Sequence, residues 1–206
     1  MTITTQTTQT EQRVFAGLRL ETRAETVNGH QFLHGRAVPY DKPADIGWFL
    51  EEHTAGSFAK SIKEAARGLP LLLFHDSRAF PIGRADEWDD NAEGLDGIWK
   101  LDGSQEAQRA AQLADDEMLS YMSVGFSPIR SQWTFVEEWN PELGPEGKDS
   151  VRRLESRLLE VSLVSTPAFK EAAVKLVRSH DHGREHPGEG KRQRDAWRKE
   201  IEGLRR

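Results

Sequence analysis

Cysteine is absent from the 206 residues. That removes disulfides, thiolate metal ligands and a thiol nucleophile, and it fits a reducing compartment. Long apolar runs are missing too. Nothing approaches the ~20 residues a membrane span needs, so no membrane partner is expected. The opening residues, Met1-Thr2-Ile3-Thr4-Thr5-Gln6, have neither a basic start nor an apolar stretch, which excludes a secretory signal. There is no P-loop, no G-x-G-x-x-G, no H-E-x-x-H and no EF-hand loop. Nucleotide hydrolysis, hydride transfer and zinc catalysis therefore lack residues to carry them, and neither a cofactor nor a metal is expected. Positive charge is also short: the net charge is −6, which argues against general nucleic-acid binding.

The length permits one domain with a sizeable core, or one domain with tails. Hydrophobic residues make up 36%, low for a compact domain, which points to segments outside the core. Residues 1–12 are rich in Thr and Gln with little to bury, which predicts a disordered leader. From Arg178 onward nine Lys/Arg face six Asp/Glu, a net of +3 that leaves −9 on the rest. Residues 179–206, with Gly183, Pro187, Gly188 and Gly190, are predicted as a charged flexible tail with a short helix near 196–204. His180, His182 and His186 belong to that solvated tail and not to a metal site.

Between these ends, at 13–178, lies the expected domain. Strands are predicted over 14–27 and 31–38, with a turn at Pro39-Tyr40-Asp41-Lys42-Pro43. Helical spacing over 57–66 places Phe58, Ile62 and Ala65 on one face. Leu69 to Phe74 reads as a short buried strand. Ile82–Trp88 and Leu95–Leu101 form a hairpin pattern. Ser104 suits the N-cap of an Ala-rich helix reaching about Met118. Tyr121–Val136 is strand-like with Pro128 as an interruption, 140–150 is a loop, and Leu158–Ser165 is a strong strand. Thr166-Pro167 would start a last helix. The fold class is α+β, mostly antiparallel β with helices interspersed and a closed or nearly closed sheet.

Three apolar, strand-like segments each carry one chemically able side chain: His75, Ser123 and Glu160. A polar group facing a dry interior is costly unless it is hydrogen-bonded. A Ser, a His and an acid that satisfy one another would remove that cost and form a nucleophile relay. By period-2 alternation Tyr121, Ser123 and Gly125 share one face, and Met122, Val124 and Phe126 share the core face. Gly125 beside the hydroxyl leaves room for a close approach. His75 ends the Leu71-Leu72-Leu73-Phe74 run and suits a general base. The alternation also places Glu160 with Leu158, Ser162 and Val164, where it could orient an imidazole. Asp76 is a rival third member, and Ser120 and Ser162 are rival nucleophiles. His30 and His34 flank a strand, and His53 is placed in a Glu-rich loop.

The blocks Phe32-Leu33-His34-Gly35-Arg36-Ala37-Val38-Pro39-Tyr40, Leu73-Phe74-His75-Asp76 with Pro81-Ile82-Gly83-Arg84, Leu119-Ser120-Tyr121-Met122-Ser123-Val124-Gly125-Phe126, and Leu159-Glu160-Val161-Ser162-Leu163-Val164-Ser165-Thr166-Pro167-Ala168 run in order along the chain. Together they resemble the prohead maturation proteases of tailed phages, over about Val14 to Arg178. That family is related in fold to the herpesvirus assembly proteases. The resemblance implies a β-barrel wrapped by helices and a serine endopeptidase whose catalytic pair falls on His75 and Ser123. The herpesvirus enzymes use a second His as third member. No His stands in the matching late strand here, which leaves Glu160 in that role. The implied substrates are the major capsid protein with its scaffolding segment, and the protease itself, inside the immature prohead in the host cytoplasm. A homodimer follows by analogy with the herpesvirus enzymes.

Overall fold

The computed structural model describes residues 2–6, 23–27, 30–65, 68–119 and 121–165. Ten strands and two α-helices occur among them, in the chain order β1 (Thr2–Gln6), β2 (Arg23–Val27), β3 (His30–Pro39), β4 (Ala44–Asp45), β5 (Phe49–His53), α1 (Ala59–Glu64), β6 (Pro70–Leu73), β7 (Gly83–Asp90), β8 (Gly94–Leu101), α2 (Gln105–Asp115), β9 (Tyr121–Thr134) and β10 (Asp149–Val164). The strands join one sheet in the order β1-β9-β10-β6-β7-β8-β3-β2, with β5 added to β10 and β4 to β5. The path does not return on itself: the sheet is a curled half-barrel with few helices, where a closed or nearly closed sheet wrapped by helices was expected.

The long pair β9–β10 is the spine. Met122, Val124 and Phe126 lie opposite Leu163, Val161 and Leu158, and all six are buried in the main core with Leu71, Leu95 and Trp99. Each such side chain contributes roughly 1.5–3 kcal/mol on leaving water. α2 adds the small buried face Ala107, Ala110, Ala111 and Ala114, and Ser104 caps it by accepting the Ala107 N–H at 3.1 Å. This helix stops at Asp115, short of Met118, because Glu117 turns to φ 57°. The N–H groups of Met118 and Leu119 then close the end on the Leu113 carbonyl.

Several sequence expectations change. Thr2–Gln6, predicted to be disordered, pairs antiparallel with Arg130–Thr134 as the outer rung of β9. His53, placed in a Glu-rich loop, instead ends β5, which pairs with β4 and runs parallel to the start of β10. β9 continues through Pro128, which lies opposite Ser156 next to a register shift of β10. β10 itself is twice the predicted length. Only 23–27 of the first predicted strand is described. The predicted helix after Thr166, the tail 179–206 and the short helix near 196–204 lie outside the described residues.

Candidate active site

β6 runs parallel to β10, with Leu71, Leu72 and Leu73 beside Val161, Ser162 and Leu163. At its end the chain stops being extended. Phe74 and His75 both adopt left-handed backbone, φ 53° and 57°, a conformation that costs an L-residue roughly 1–2 kcal/mol. Two hydrogen bonds to β10 hold them there. Phe74 N–H donates to the Leu163 carbonyl at 3.1 Å, and His75 N–H donates to Ser162 Oγ at 3.1 Å. The turn closes through Asp76 N–H to the Leu73 carbonyl at 3.0 Å. It swings the imidazole back onto β10.

There His75 Nδ1 lies 2.7 Å from Glu160 Oε1. The other carboxylate oxygen, Oε2, accepts the Ser162 hydroxyl proton at 2.6 Å. Glu160 and Ser162 are buried, and an unpaired carboxylate at such a depth would be costly; the imidazole and the hydroxyl satisfy both its oxygens. A carboxylate only accepts, so Nδ1 is the nitrogen that donates to Glu160, and Nε2 is the one left on the far side of the ring. That Nε2 is buried and makes no hydrogen bond.

Glu160 reaches this face through a β-bulge. Leu158 opposes Phe126 and Glu160 opposes Gly125, so Leu159 is surplus. The surplus residue reverses the alternation. Leu158 goes to the core with Phe126, whereas a regular strand would have put it beside Glu160. Gly125 is the floor under the carboxylate: a β-carbon there would stand 2.3 Å from Glu160 Oε1. The room beside Ser123 is thus filled by the acid and not left for substrate.

Ser123 stands opposite Ser162 in the β9–β10 register, on the Glu160 face, with β-carbons about 5 Å apart across the pair. It is fully buried. The structure therefore brings His75 and Glu160 into contact and sets Ser123 one strand away. No hydrogen bond joins Ser123 to Nε2 in this conformer. Asp76 faces away. Its carboxylate accepts the Arg78 N–H at 3.0 Å, and that bond, with the Arg78 guanidinium, holds it below the usual carboxylate range. Phe74, 57% exposed, stands on the same turn as His75, and Phe80, 95% exposed, follows in the same loop. Ser120 lies outside the described residues.

A second polar cluster went unread in the sequence. His53 is fully buried in β5, stacked on Phe58 at 4.7 Å between ring centres and edge-on to Phe126 at 4.8 Å. Ser57 Oγ lies 3.4 Å from its Nδ1. Beside it Arg153 pairs with Glu51, donates to Ser131 Oγ at 2.9 Å and lies over the Trp133 ring. Burial, then the Arg153 charge, pushes the His53 pKa well below the ordinary imidazole value. The parallel β5–β10 pairing, with Arg153 directly beside His53, creates this cluster. Neither strand reveals it alone. Among the described residues no group of three or more His, Asp or Glu gathers to hold a metal ion, and no helix is long and apolar enough to cross a membrane.

A family model described as caudovirus prohead serine protease matches residues 18–186. Among solved structures the chain is similar to the capsid assembly protease gp21 of bacteriophage T4, with 10% identity and a TM-score of 0.39, over 79% of this chain and 97% of that one. No curated protein matches the chain.

Proposed function

The chain belongs to the caudovirus prohead serine protease family, and we propose that it is an endopeptidase working through Ser123, His75 and Glu160. The observation that carries this reading is the 2.7 Å contact between His75 Nδ1 and Glu160 Oε1, made by side chains 85 positions apart and sharing a sheet face with Ser123. His75 Nε2 takes the Ser123 proton as Oγ attacks a peptide carbonyl. Glu160 keeps Nδ1 protonated and stabilises the imidazolium that forms. The tetrahedral intermediate collapses to an acyl-enzyme as Nε2 gives its proton to the departing amine. Water, deprotonated by the same nitrogen, then releases the acid. The hydroxyl and Nε2 must first close on each other, a tightening that apo sites commonly leave to substrate binding.

The substrates in this reading are the capsid protein with its scaffolding segment, and the protease itself, cut inside the prohead in the host cytoplasm. The polar ends, 1–12 and 179–206, are the self-cleavage candidates. Co-expression with the capsid precursor tests it. Ser123→Ala and His75→Ala should each abolish cleavage while particles still assemble. Intact mass from maturing particles should show shortened ends.

One observation favours a second reading, a non-catalytic assembly factor of the same fold: Ser123 has no exposed surface. Equal cleavage of the capsid precursor by the parent and the Ser123→Ala variant would favour it.

A further inference from the structure

We propose that Ser162 is a positioning residue that locks the tautomer and orientation of His75, and that it is not an alternative nucleophile. The inference rests on the His75–Glu160 relay proposed above. Its hydroxyl proton is committed to Glu160 Oε2 at 2.6 Å, and its oxygen accepts the backbone N–H of His75 at 3.1 Å. With His75 Nδ1 on Glu160 Oε1, these bonds close a ring: the His75 backbone to Ser162, Ser162 to the carboxylate, and the carboxylate back to the His75 ring. One hydroxyl thus holds both ends of the pair. It fixes the carboxylate so that Oε1 faces the imidazole, and it fixes the left-handed backbone from which the imidazole hangs.

The placement follows from the strands. Ser162 is two residues beyond Glu160 on β10, hence on the same face. The parallel partner β6 ends one residue past the position beside it, so the turn with His75 folds directly over the hydroxyl. Ser162 is fully buried, and no water need compete for these bonds. Ser162 also serves the Nδ1 side of the ring, whereas the nitrogen free to act as base is Nε2. A nucleophile is needed on the Nε2 side.

The full-length protein tests this with two readouts. The first is the rate of acylation by a fluorophosphonate probe, with the labelled residue mapped by mass. The second is the 15N spectrum of the histidines, with His75 assigned from a His75→Gln variant. The parent should label at Ser123 and hold neutral His75 as the Nδ1–H tautomer. Ser162→Ala should label at Ser123 on the order of 10- to 100-fold more slowly and show mixed His75 tautomers, with an unchanged far-UV circular dichroism spectrum. An unchanged rate with an unchanged tautomer overturns the proposal and leaves the relay standing. Labelling at Ser162 in the parent overturns both. Should the probe label no serine, the relay reading fails, and the tautomer still judges the clamp. If Ser162→Ala does not fold, the parent spectrum decides: an Nε2–H tautomer at His75 overturns the proposal.

Discussion

Glu160 lies across the α-carbon of Gly125, close enough that any β-carbon there would meet its Oε1 at 2.3 Å and its Cγ and Cδ at 3.1 Å. The obstacle is the far end of a side chain, so Gly125→Ala displaces the carboxylate and spares the backbone. Cleavage should fall about 100-fold, the effect of roughly an ångström of misplacement, and the melting temperature should fall as well, because the buried carboxylate is pushed off His75 and Ser162. Thermal unfolding and capsid-precursor cleavage, measured on one preparation, check this. Full activity in Gly125→Ala would mean the carboxylate position does not matter.

Glu160 and Asp76 separate cleanly as acids. Glu160→Gln keeps the shape of the group that holds Nδ1 and removes its charge. Turnover should drop on the order of 10³-fold or more, as expected when an imidazole loses the carboxylate that orients it. Asp76→Asn touches the exposed contacts to Arg78 and the Ala79 backbone N–H and should stay within about twofold. Single-turnover cleavage rates for the two variants decide the matter, and the reverse ranking would install Asp76 as the third member.

His53 makes stability depend on pH. Burial first and the Arg153 charge second keep it neutral in the fold, whereas the unfolded chain protonates it near pH 6.5. Above that pH both states are neutral and the full stability is present. Below it the unfolded state binds a proton the fold refuses, so stability falls as pH falls, by at most about 1.4 kcal/mol per pH unit. Ordinary carboxylates titrate near 4, which leaves pH 6.5 to 5 as the window for His53. Urea unfolding across that window should show a shallower slope in His53→Gln than in the parent. Equal slopes would mean that His53 charges in place.

The Glu51–Arg153 ion pair is almost wholly buried, with side-chain exposures of 0% and 3%. Glu51→Ala leaves a buried guanidinium without its carboxylate, and breaking such a pair costs about 3–5 kcal/mol. Chemical denaturation should register that loss, or the variant should fail to accumulate in soluble form. A cost below about 1 kcal/mol would show that Ser131 and Trp133 suffice for Arg153.

Much of the scaffold was legible locally. Ser104 announces its helix, Leu71-Leu72-Leu73 announces a buried strand, and the Asp89–Leu95 region announces a hairpin. That Glu160 and His75 needed partners followed from the cost of burying them, and the 2.7 Å contact meets that need. The unread parts are non-local. Glu51 and His53 look like loop residues until Arg153, about a hundred positions away, lies beside them. Leu159 breaks the alternation, so a regular strand misassigned Leu158. Thr2–Gln6 has little to bury and is held by the backbone ladder of β9. The left-handed pair Phe74–His75 is hard to read from the sequence: His is enriched in that conformation, but it remains uncommon there, and Phe does not favour it.

The pairing of β1 with β9 bears on how any N-terminal processing would look to an observer. A cut in the 16 residues between Gln6 and Arg23 would sever the peptide chain and leave the five-residue ladder to Arg130–Thr134 intact. The released piece could then travel with the body as a noncovalent passenger. Denaturing mass spectrometry would count two molecules where native mass spectrometry counts one.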